Sequence, residues 1–354
     1  MWTLTELPIV QAPMAGSQGP ELCIAVCEAG GLGSIPCAML TADVLRAQIA
    51  EIRAATSAPF NVNFFAHTPP TPDPAREMAW VERLGGYYRE FGLDPADAAK
   101  GPGRAPFDEA MCKVIEETRP PVVSFHFGLP AADLLARVKA TGAQVWSSAT
   151  TVAEARWLDA RGVDAIIAQG REAGGHRGMF LTDDIDAQPG LMALLPQVVD
   201  AVKAPVIAAG GIADGRGIAA ALMLGASAAQ IGTAYLLSPQ ASTSAVHRAA
   251  LKAGRDDTTR LTNLFTGRPA RGHLNRYMRE QGPMNVAAPA FPLATGAITP
   301  LRTHAEKAGS GDFSPLWSGE AAPMAREDDA AAFTRRVWAD ARARIGSVAR
   351  QTAG

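Results

Sequence analysis

Eight short apolar runs recur through the first two thirds of the chain, separated by stretches with helical patterning. The runs cover residues 9–12, 31–35, 60–64, 122–127, 144–148, 164–168, 206–209 and 228–231. Each is short and bounded by glycine, proline or polar residues, which favours a buried parallel strand over a helix. The stretches 21–29, 41–56, 131–141, 151–161, 191–202 and 216–224 read as helices. Thr41, Thr151 and Asp214 stand where N-caps are expected, and Gly30, Gly142, Gly162 and Gly225 where helices stop. Eight strands alternating with helices predict an α/β fold, a (β/α)8 TIM barrel, over its rival, an open doubly wound sheet.

Polar residues and glycines gather at the C-terminal ends of the expected strands. Pro13-Met14-Ala15-Gly16 follows the first, Asn61 and Asn63 end the third, and His126 ends the fourth. Gln169-Gly-Arg-Glu-Ala-Gly-Gly-His176 follows the sixth, Gly210-Gly211 the seventh, and Gly232-Thr233 the eighth. In a barrel these ends converge on one face, where active sites are built. Taken singly, each has an ordinary explanation in turn formation; six agreeing positions do not.

The rest of the chain departs from this rhythm. Residues 66–121 hold a proline-rich run, an expected helix over 75–91 and a turn at Gly101-Pro-Gly103. They read as an insertion on the active-site face, either a lid or a surface loop with its own helix. After Ser238 the alternation stops. Residues 241–320 predict a smaller, mostly helical second domain over the barrel mouth, with a helix over 243–253 and a Pro/Ala-rich tract over 283–300. Residues 321–354 read as a return segment whose amphipathic helix, 330–348, packs on the barrel of residues 1–240.

Composition narrows the function. A formal net charge of −2 carries no basic footprint for nucleic acid. The uncharged stretch 217–237 is long enough to cross a bilayer, but Gly225, Gln230, Gly232 and Thr233 interrupt it, and it parses as a helix followed by a strand. No membrane association is expected, and the opening residues do not resemble a signal peptide. Cys23, Cys27, Cys37 and Cys112 form no Cys-x-x-Cys pair, so no metal is expected and a reducing, cytoplasmic location is. No Gly-x-Gly-x-x-Gly follows a strand, so no Rossmann-type nicotinamide site is visible.

Two glycine loops carry the strongest chemical signal. Pro205-Val-Ile-Ala-Ala-Gly-Gly-Ile-Ala-Asp-Gly-Arg216 and Gln230-Ile-Gly-Thr-Ala-Tyr235 place bare backbone at the ends of strands seven and eight. There, barrels hold phosphate through backbone N–H groups and a helix N-terminus. A flavin or a sugar phosphate would fit.

These motifs carry a family likeness. The chain resembles the nitronate monooxygenases, formerly 2-nitropropane dioxygenases. It does so in Gln11-Ala-Pro-Met-Ala-Gly16 with Ala29-Gly-Gly-Leu-Gly33, Pro59-Phe-Asn-Val-Asn-Phe-Phe65, the 169–176 loop and both glycine loops. Gly267-Arg-Pro-Ala-Arg-Gly272 and Pro315-Leu-Trp-Ser-Gly319 extend the likeness beyond the barrel. The resemblance implies FMN as cofactor. Ala12, Pro13, Met14 and Ala15 would lie along the flavin ring, and Asn63 and Gln169 would bond its polar edges. Asn61 competes for the role of Asn63. Gly174, Gly175, Gly210, Gly211, Gln230, Ile231, Gly232 and Thr233 would hold ring and phosphate. His176 would be the catalytic histidine, as base or as hydrogen-bond donor.

His126 is expected either as a second substrate contact or as a core histidine bonded to backbone. With four tyrosines in the chain, an aromatic pocket would lean on phenylalanine, Trp317 and Tyr277. The implied activity is oxidation of an alkyl nitronate such as propionate 3-nitronate by O2, giving a carbonyl compound and nitrite. The partners are then small molecules, with a homodimer left open. A flavin reductase on the same scaffold, acting on an enoyl thioester or on NADH and quinone, and a non-catalytic flavin- or phosphate-binding barrel are the competing readings.

Overall fold

The computed structural model describes residues 2–98, 104–255 and 257–352. The turn expected at Gly101-Pro-Gly103 lies outside them. All eight expected barrel strands are present: β1 (Ile9–Gln11), β2 (Gly33–Pro36), β3 (Phe60–Phe65), β4 (Val122–His126), β5 (Gln144–Ala149), β6 (Ala165–Gln169), and, after a two-residue strand β7 (Gly175–His176), β8 (Val206–Ala209) and β9 (Ala228–Ile231). They pair in parallel in the order β1-β9-β8-β6-β5-β4-β3-β2. Leu32 N donates to Ile9 O at 2.8 Å and Gln11 N to Leu32 O at 2.9 Å, bringing β1 alongside the start of β2 to close the ring.

Period-2 alternation explains how this sheet makes a site. One parity faces the surrounding helices: Phe60, Val62 and Phe64 on β3, Val123 and Phe125 on β4, and Ile166 and Ala168 on β6 join the large outer core. The other parity faces inward and changes character along each strand. At the lower level stand Val10, Leu32, Val122, Trp146, Ala165, Ile207 and Ala228, with Trp2 and Leu4 packed against them. Higher up come Asn63, His126, Ser148, Gln169 and Gln230, which line a cavity. The barrel is therefore plugged at one end and polar at the other.

The ring helices are α1 (Pro20–Glu28) and α2 (Ala42–Ala55), then, beyond an inserted α3 (Pro74–Phe91), α4 (Glu109–Thr118), α5 (Ala132–Ala140), α6 (Val152–Asp159), α7 (Leu191–Ala201) and α8 (Gly215–Met223). The expected caps form. Thr41 Oγ1 accepts from Val44 N, Thr151 Oγ1 from Glu154 N, and Asp214 from Arg216 N and Gly217 N. The stretch read as an insertion over 66–121 ends in α4, a regular ring helix packed between α2 and α5. The inserted α3 is not a detached surface helix. Its Trp80, Leu84, Tyr87 and Tyr88 share a second apolar core with Leu264, Phe265, Tyr277 and Phe313, and Tyr88 donates its hydroxyl to Ala297 O at 2.7 Å.

The region after Ser238 contains α9 (Ala245–Ala253), β10 (Thr259–Thr262), β11 (Ala270–His273), α10 (Arg276–Gln281) and α11 (Thr295–Lys307). Two features there escape a reading by pattern. The strands β10 and β11 form a small antiparallel sheet with β7. Within the Pro/Ala-rich tract, α11 forms despite Pro300, because burying Ala297, Ile298, Leu301 and Ala305 outweighs local propensity.

The chain closes with α12 (Ala330–Thr352), which lies on α8 so closely that a Cβ on Gly215 would come within 2.5 Å of Ala341 N. Phe333 meets Tyr235, just beyond β9, edge to face at 4.8 Å. Phe333→Ala should therefore cost about 3–5 kcal/mol by cavity formation. Urea unfolding checks it; an unchanged midpoint would show that α12 does not brace the barrel.

Candidate active site

The first wall is the turn after β1. Gln11 is fully buried, and its Oε1 accepts from Ser34 N at 2.9 Å while its Nε2 donates to Gln18 Oε1 at 2.7 Å. Gln18 also accepts from Met14 N at 2.9 Å and donates to Ser34 O at 2.6 Å. This network fixes Ala12, Pro13, Met14 and Ala15 along the cavity wall. Gln18 went unanticipated, because a glutamine that acts through its neighbours carries no spacing signature.

Asn63 lines the cavity, held by donation to Ser124 Oγ at 2.9 Å. Asn61 sits lower, donates to Ser34 Oγ at 3.0 Å, and is not part of the wall.

The 170–178 loop is held from several sides. Gln169 Nε2 donates to His176 O at 2.9 Å, and its Oε1 accepts from Gly178 N at 2.8 Å. Much of its amide capacity thus serves the loop, leaving one N–H and one lone pair for a ligand. Arg177 is fully buried and donates to Gln169 O at 2.8 Å, Gly170 O at 2.6 Å and Gln188 Oε1 at 2.8 Å. Burial pulls its pKa down to about 9, which still leaves it charged at neutral pH. His176 therefore stands on a strand rather than on a free loop, since β7 pairs with Ala270 and Arg271 of β11.

The two histidines differ in what they leave free. His126 Nε2 lies 3.1 Å from His176 O, so this nitrogen carries the proton; Nδ1 then accepts from Ser148 Oγ at 3.0 Å. Both ring nitrogens are taken, and the ring works as a brace bonded to backbone. His176 Nε2 lies 3.0 Å from Thr266 Oγ1. Its side chain makes no other hydrogen bond to the described residues, which leaves Nδ1 free, and the ring lines the cavity. Phe291 at 5.4 Å and Trp317 at 5.5 Å surround it with Phe65 and Phe127, both at 6.0 Å. Tyr277 is instead buried in the second core.

Burial, reinforced by the charges of Arg104, Arg268 and the neighbouring histidines, holds His176 well below the ordinary imidazole range. Burial likewise pulls His126 and His67 down to about 4. All three are neutral at pH 7.

The opposite wall is bare backbone. Gly174, Gly175, Gly210, Gly211, Gly232 and Thr233 line it, with Gly319 from the end of the region that follows the barrel. Gly210 and Gly211 have φ of +121° and +68°, values that only glycine adopts freely. Thr233 Oγ1 accepts from Gly319 N at 2.9 Å. The N-terminus of α8 is already capped by the Asp214 carboxylate, so an anion is left to the glycine loops rather than to that helix. Ile231 does not reach the cavity. Its side chain is buried in the outer core and its carbonyl accepts from Ala12 N, because it has the outward parity on β9. The cavity opens to solvent at the barrel mouth, and the space between its walls, counted out into that mouth, is about 1370 Å³.

Residues 1–333 match the family model described as nitronate monooxygenase. The chain belongs to the nitronate monooxygenase family. A relative named nitronate monooxygenase from Pseudomonas aeruginosa is 45% identical, over 93% of this chain and 95% of its own length. The solved structure of nitroalkane oxidase from Streptomyces ansochromogenes superposes with a TM-score of 0.89 at 42% identity, covering 98% of each chain. The structure of FabK from Thermotoga maritima follows at a TM-score of 0.73 and 27% identity, over 98% of this chain and 96% of that one.

Membership makes the chain an oxidoreductase with a role in nitronate oxidation, and implies a flavin, since the nitronate monooxygenases are flavoproteins. The site's donors and acceptors suit a flavin. Gln230 Oε1 is a buried acceptor with no partner, on a side chain that lines the cavity. A buried acceptor left unpaired costs about 1–3 kcal/mol, which a ring N–H of a ligand would offset. The glycine wall presents unencumbered backbone to a phosphate. Among the described residues no helix is long and apolar enough to cross a membrane, and no cluster of side chains is arranged to hold a metal ion.

The depressed histidines have a consequence for stability. His67, His126, His176 and, pulled down to about 4 by burial, His247 all have folded pKa values below the ordinary 6.5. As pH falls below 6.5 the unfolded chain binds protons that the folded chain refuses. Their contribution is complete above pH 6.5 and is lost as pH falls towards about 4. The melting temperature of the flavin-loaded protein should drop steadily from pH 6.5 to 5; a constant value over that interval would show that these imidazoles are not buried neutral.

Proposed function

We propose that this member of the family is an FMN-dependent enzyme that oxidises alkyl nitronates, of which propionate 3-nitronate is one, with O2 to a carbonyl compound and nitrite. The observation that carries this reading is His176: a neutral imidazole with one nitrogen free, on the wall of a cavity that also presents a phosphate cradle.

FMN would be held by the glycine wall at its phosphate, by Ala12–Ala15 along its ring, and by Asn63, Gln230 and the spare capacity of Gln169 at its polar edges. When bound, it supplies the oxidation of the nitronate and the passage of electrons to O2. The chain's own residues do the rest. Phe65 and Trp317, which line the cavity, exclude water from the substrate's carbon chain. His176 Nδ1 faces the nitro group, taking a carbon-bound proton from a neutral nitroalkane or donating to the oxygens of a nitronate already formed. Thr266 fixes the ring from its other side. His126 holds the backbone of His176 in register rather than moving a proton itself.

His176→Asn tests the role directly. Asparagine can donate a hydrogen bond but cannot act as a base. FMN should be retained, seen as the absorption of oxidised flavin, while turnover of neutral nitroalkane falls about 10²–10⁴-fold. Nitronate turnover should fall much less, by about 10–100-fold. Equal losses on both substrates would reject the base role. A purified protein that carries no flavin, or one bleached by NADH without air and indifferent to nitronates, would overturn the proposal in favour of a reductase.

A further inference from the structure

Three backbone segments from distant parts of the chain meet at one edge of the glycine wall. They are the loop after β6 at residues 172–174, Thr233 just beyond β9, and residues 318–320, between α11 and α12. Their contact is close. A Cβ on Gly174 would lie 2.5 Å from Gly319 N, and one on Gly319 would lie 2.8 Å from Glu172 O. Gly319 N donates to Thr233 Oγ1 at 2.9 Å, and Glu320 N donates to Glu172 O at 2.9 Å. The 318–320 segment thus forms a strap laid against two loops of the barrel.

One buried side chain ties the strap down. Arg271 on β11 is 6% exposed. Its Nη2 meets Glu320 Oε1 at 2.9 Å, its Nε donates to Arg171 O at 3.1 Å, and its Nη1 donates to Thr259 Oγ1 at 3.4 Å. Its backbone carbonyl accepts from Ser318 N at 3.1 Å. Arg271 therefore holds the strap at Ser318 and at Glu320, and holds the loop after β6 at Arg171. Neither member of the ion pair lines the cavity, although Gly319 and Ala321 on either side of Glu320 do. An ion pair between two exposed groups contributes little. Here the guanidinium is buried, so removing the carboxylate leaves it short of its anion.

The tie sets the direction of a hydroxyl. A threonine hydroxyl has one proton and two lone pairs. Thr233 Oγ1 receives the Gly319 N–H on a lone pair, and its own O–H donates to no acceptor among the described residues. Because Thr233 lines the cavity, that proton is left for a ligand.

We propose that Arg271 and Glu320 are positioning residues for the cofactor: their ion pair holds Gly319 N against Thr233, and so turns the Thr233 hydroxyl to donate to the phosphate of FMN. The inference rests on the FMN-dependent function proposed above and adds how the phosphate donor is oriented. Riboflavin, which lacks the phosphate, gains nothing from this arrangement.

The test uses the full chain loaded with FMN or, by exchange, with riboflavin. Recovery of flavin fluorescence on dilution gives Kd for each. In Glu320→Ala the Kd for FMN should rise about three- to tenfold, while that for riboflavin stays within about twofold. Glu320→Gln, whose amide can still accept from Arg271, should fall between Glu320→Ala and wild type. Arg271→Gln should weaken FMN at least as much as Glu320→Ala; if it fails to fold, the Glu320 variants carry the test, because that side chain is half exposed. Thr233→Val should raise the FMN Kd about 10–100-fold, as for a lost hydrogen bond to a charged group, and adding Glu320→Ala to it should change the value no further. Equal losses of FMN and riboflavin would overturn the inference and make the pair a general brace. Additive losses in the double variant would overturn it too. If wild type binds FMN and Glu320→Ala binds it as well, the positioning role alone fails. A wild-type protein that takes up neither flavin would reject the cofactor reading and the inference with it.

Discussion

The backbone carbonyl of His176 accepts two hydrogen bonds, from Gln169 Nε2 at 2.9 Å and from His126 Nε2 at 3.1 Å. Much of the site depends on this pair. Gln169 ends β6 and His126 ends β4, so two barrel strands grip one peptide. Pairing of β7 with β11 grips it from the region after Ser238. Arg177 completes the hold by gathering the carbonyls of Gln169 and Gly170. The histidine proposed to meet the substrate is thereby fixed by its own main chain, leaving its side chain with one tether, at Thr266, and one free nitrogen. Positioning to a few tenths of an ångström is what such chemistry requires.

The sequence exposes the barrel because its strands are short, apolar and separated by helices, and because polar side chains gather towards the ends of the inward series. Asn63, His126 and Gln169 are legible for that reason. Parity separates Asn63, on the cavity wall, from Asn61 only by height, since both point inward two residues apart; the third level of the barrel is polar and the second is packed. Ile231 is the instructive failure. It sits between Gln230 and Gly232, which line the cavity, yet alternation turns it into the outer core. A motif treated as a block conceals the period of two that a strand imposes.

Other features stay hidden because they depend on contacts distant in sequence. The strand β7 is two residues long and exists only because β11 comes to meet it. The helix α11 contains a proline and earns no prediction by propensity; it forms against α3, about two hundred residues earlier in the chain. Arg104 follows a Gly-Pro-Gly run in the sequence, where a lone arginine looks like any solvated charge. Only the pinning of Phe107 to the end of β3 brings it to the cavity.

Burial sets the electrostatics of the cavity in a single stroke. Withdrawal from water drives His126 and His176 to the neutral form, because the charged imidazole loses more solvation than the neutral one. The same withdrawal leaves Arg104 charged, since a guanidinium starts from so high a pKa that even a fall to about 10 does not neutralise it. One low-dielectric pocket thus holds a neutral imidazole beside a fixed cation, which neither group would dictate in water. The field attracts an anion while the imidazole keeps a lone pair with which to make one. As an anion arrives, its charge offsets that of Arg104 at His176 and raises the imidazole's affinity for a proton. In the proposed function, a base that had just taken a proton from carbon would be better able to keep it, and a histidine facing a preformed nitronate would be better able to donate. The pocket would thus support both roles proposed for His176 through the charge of the substrate itself.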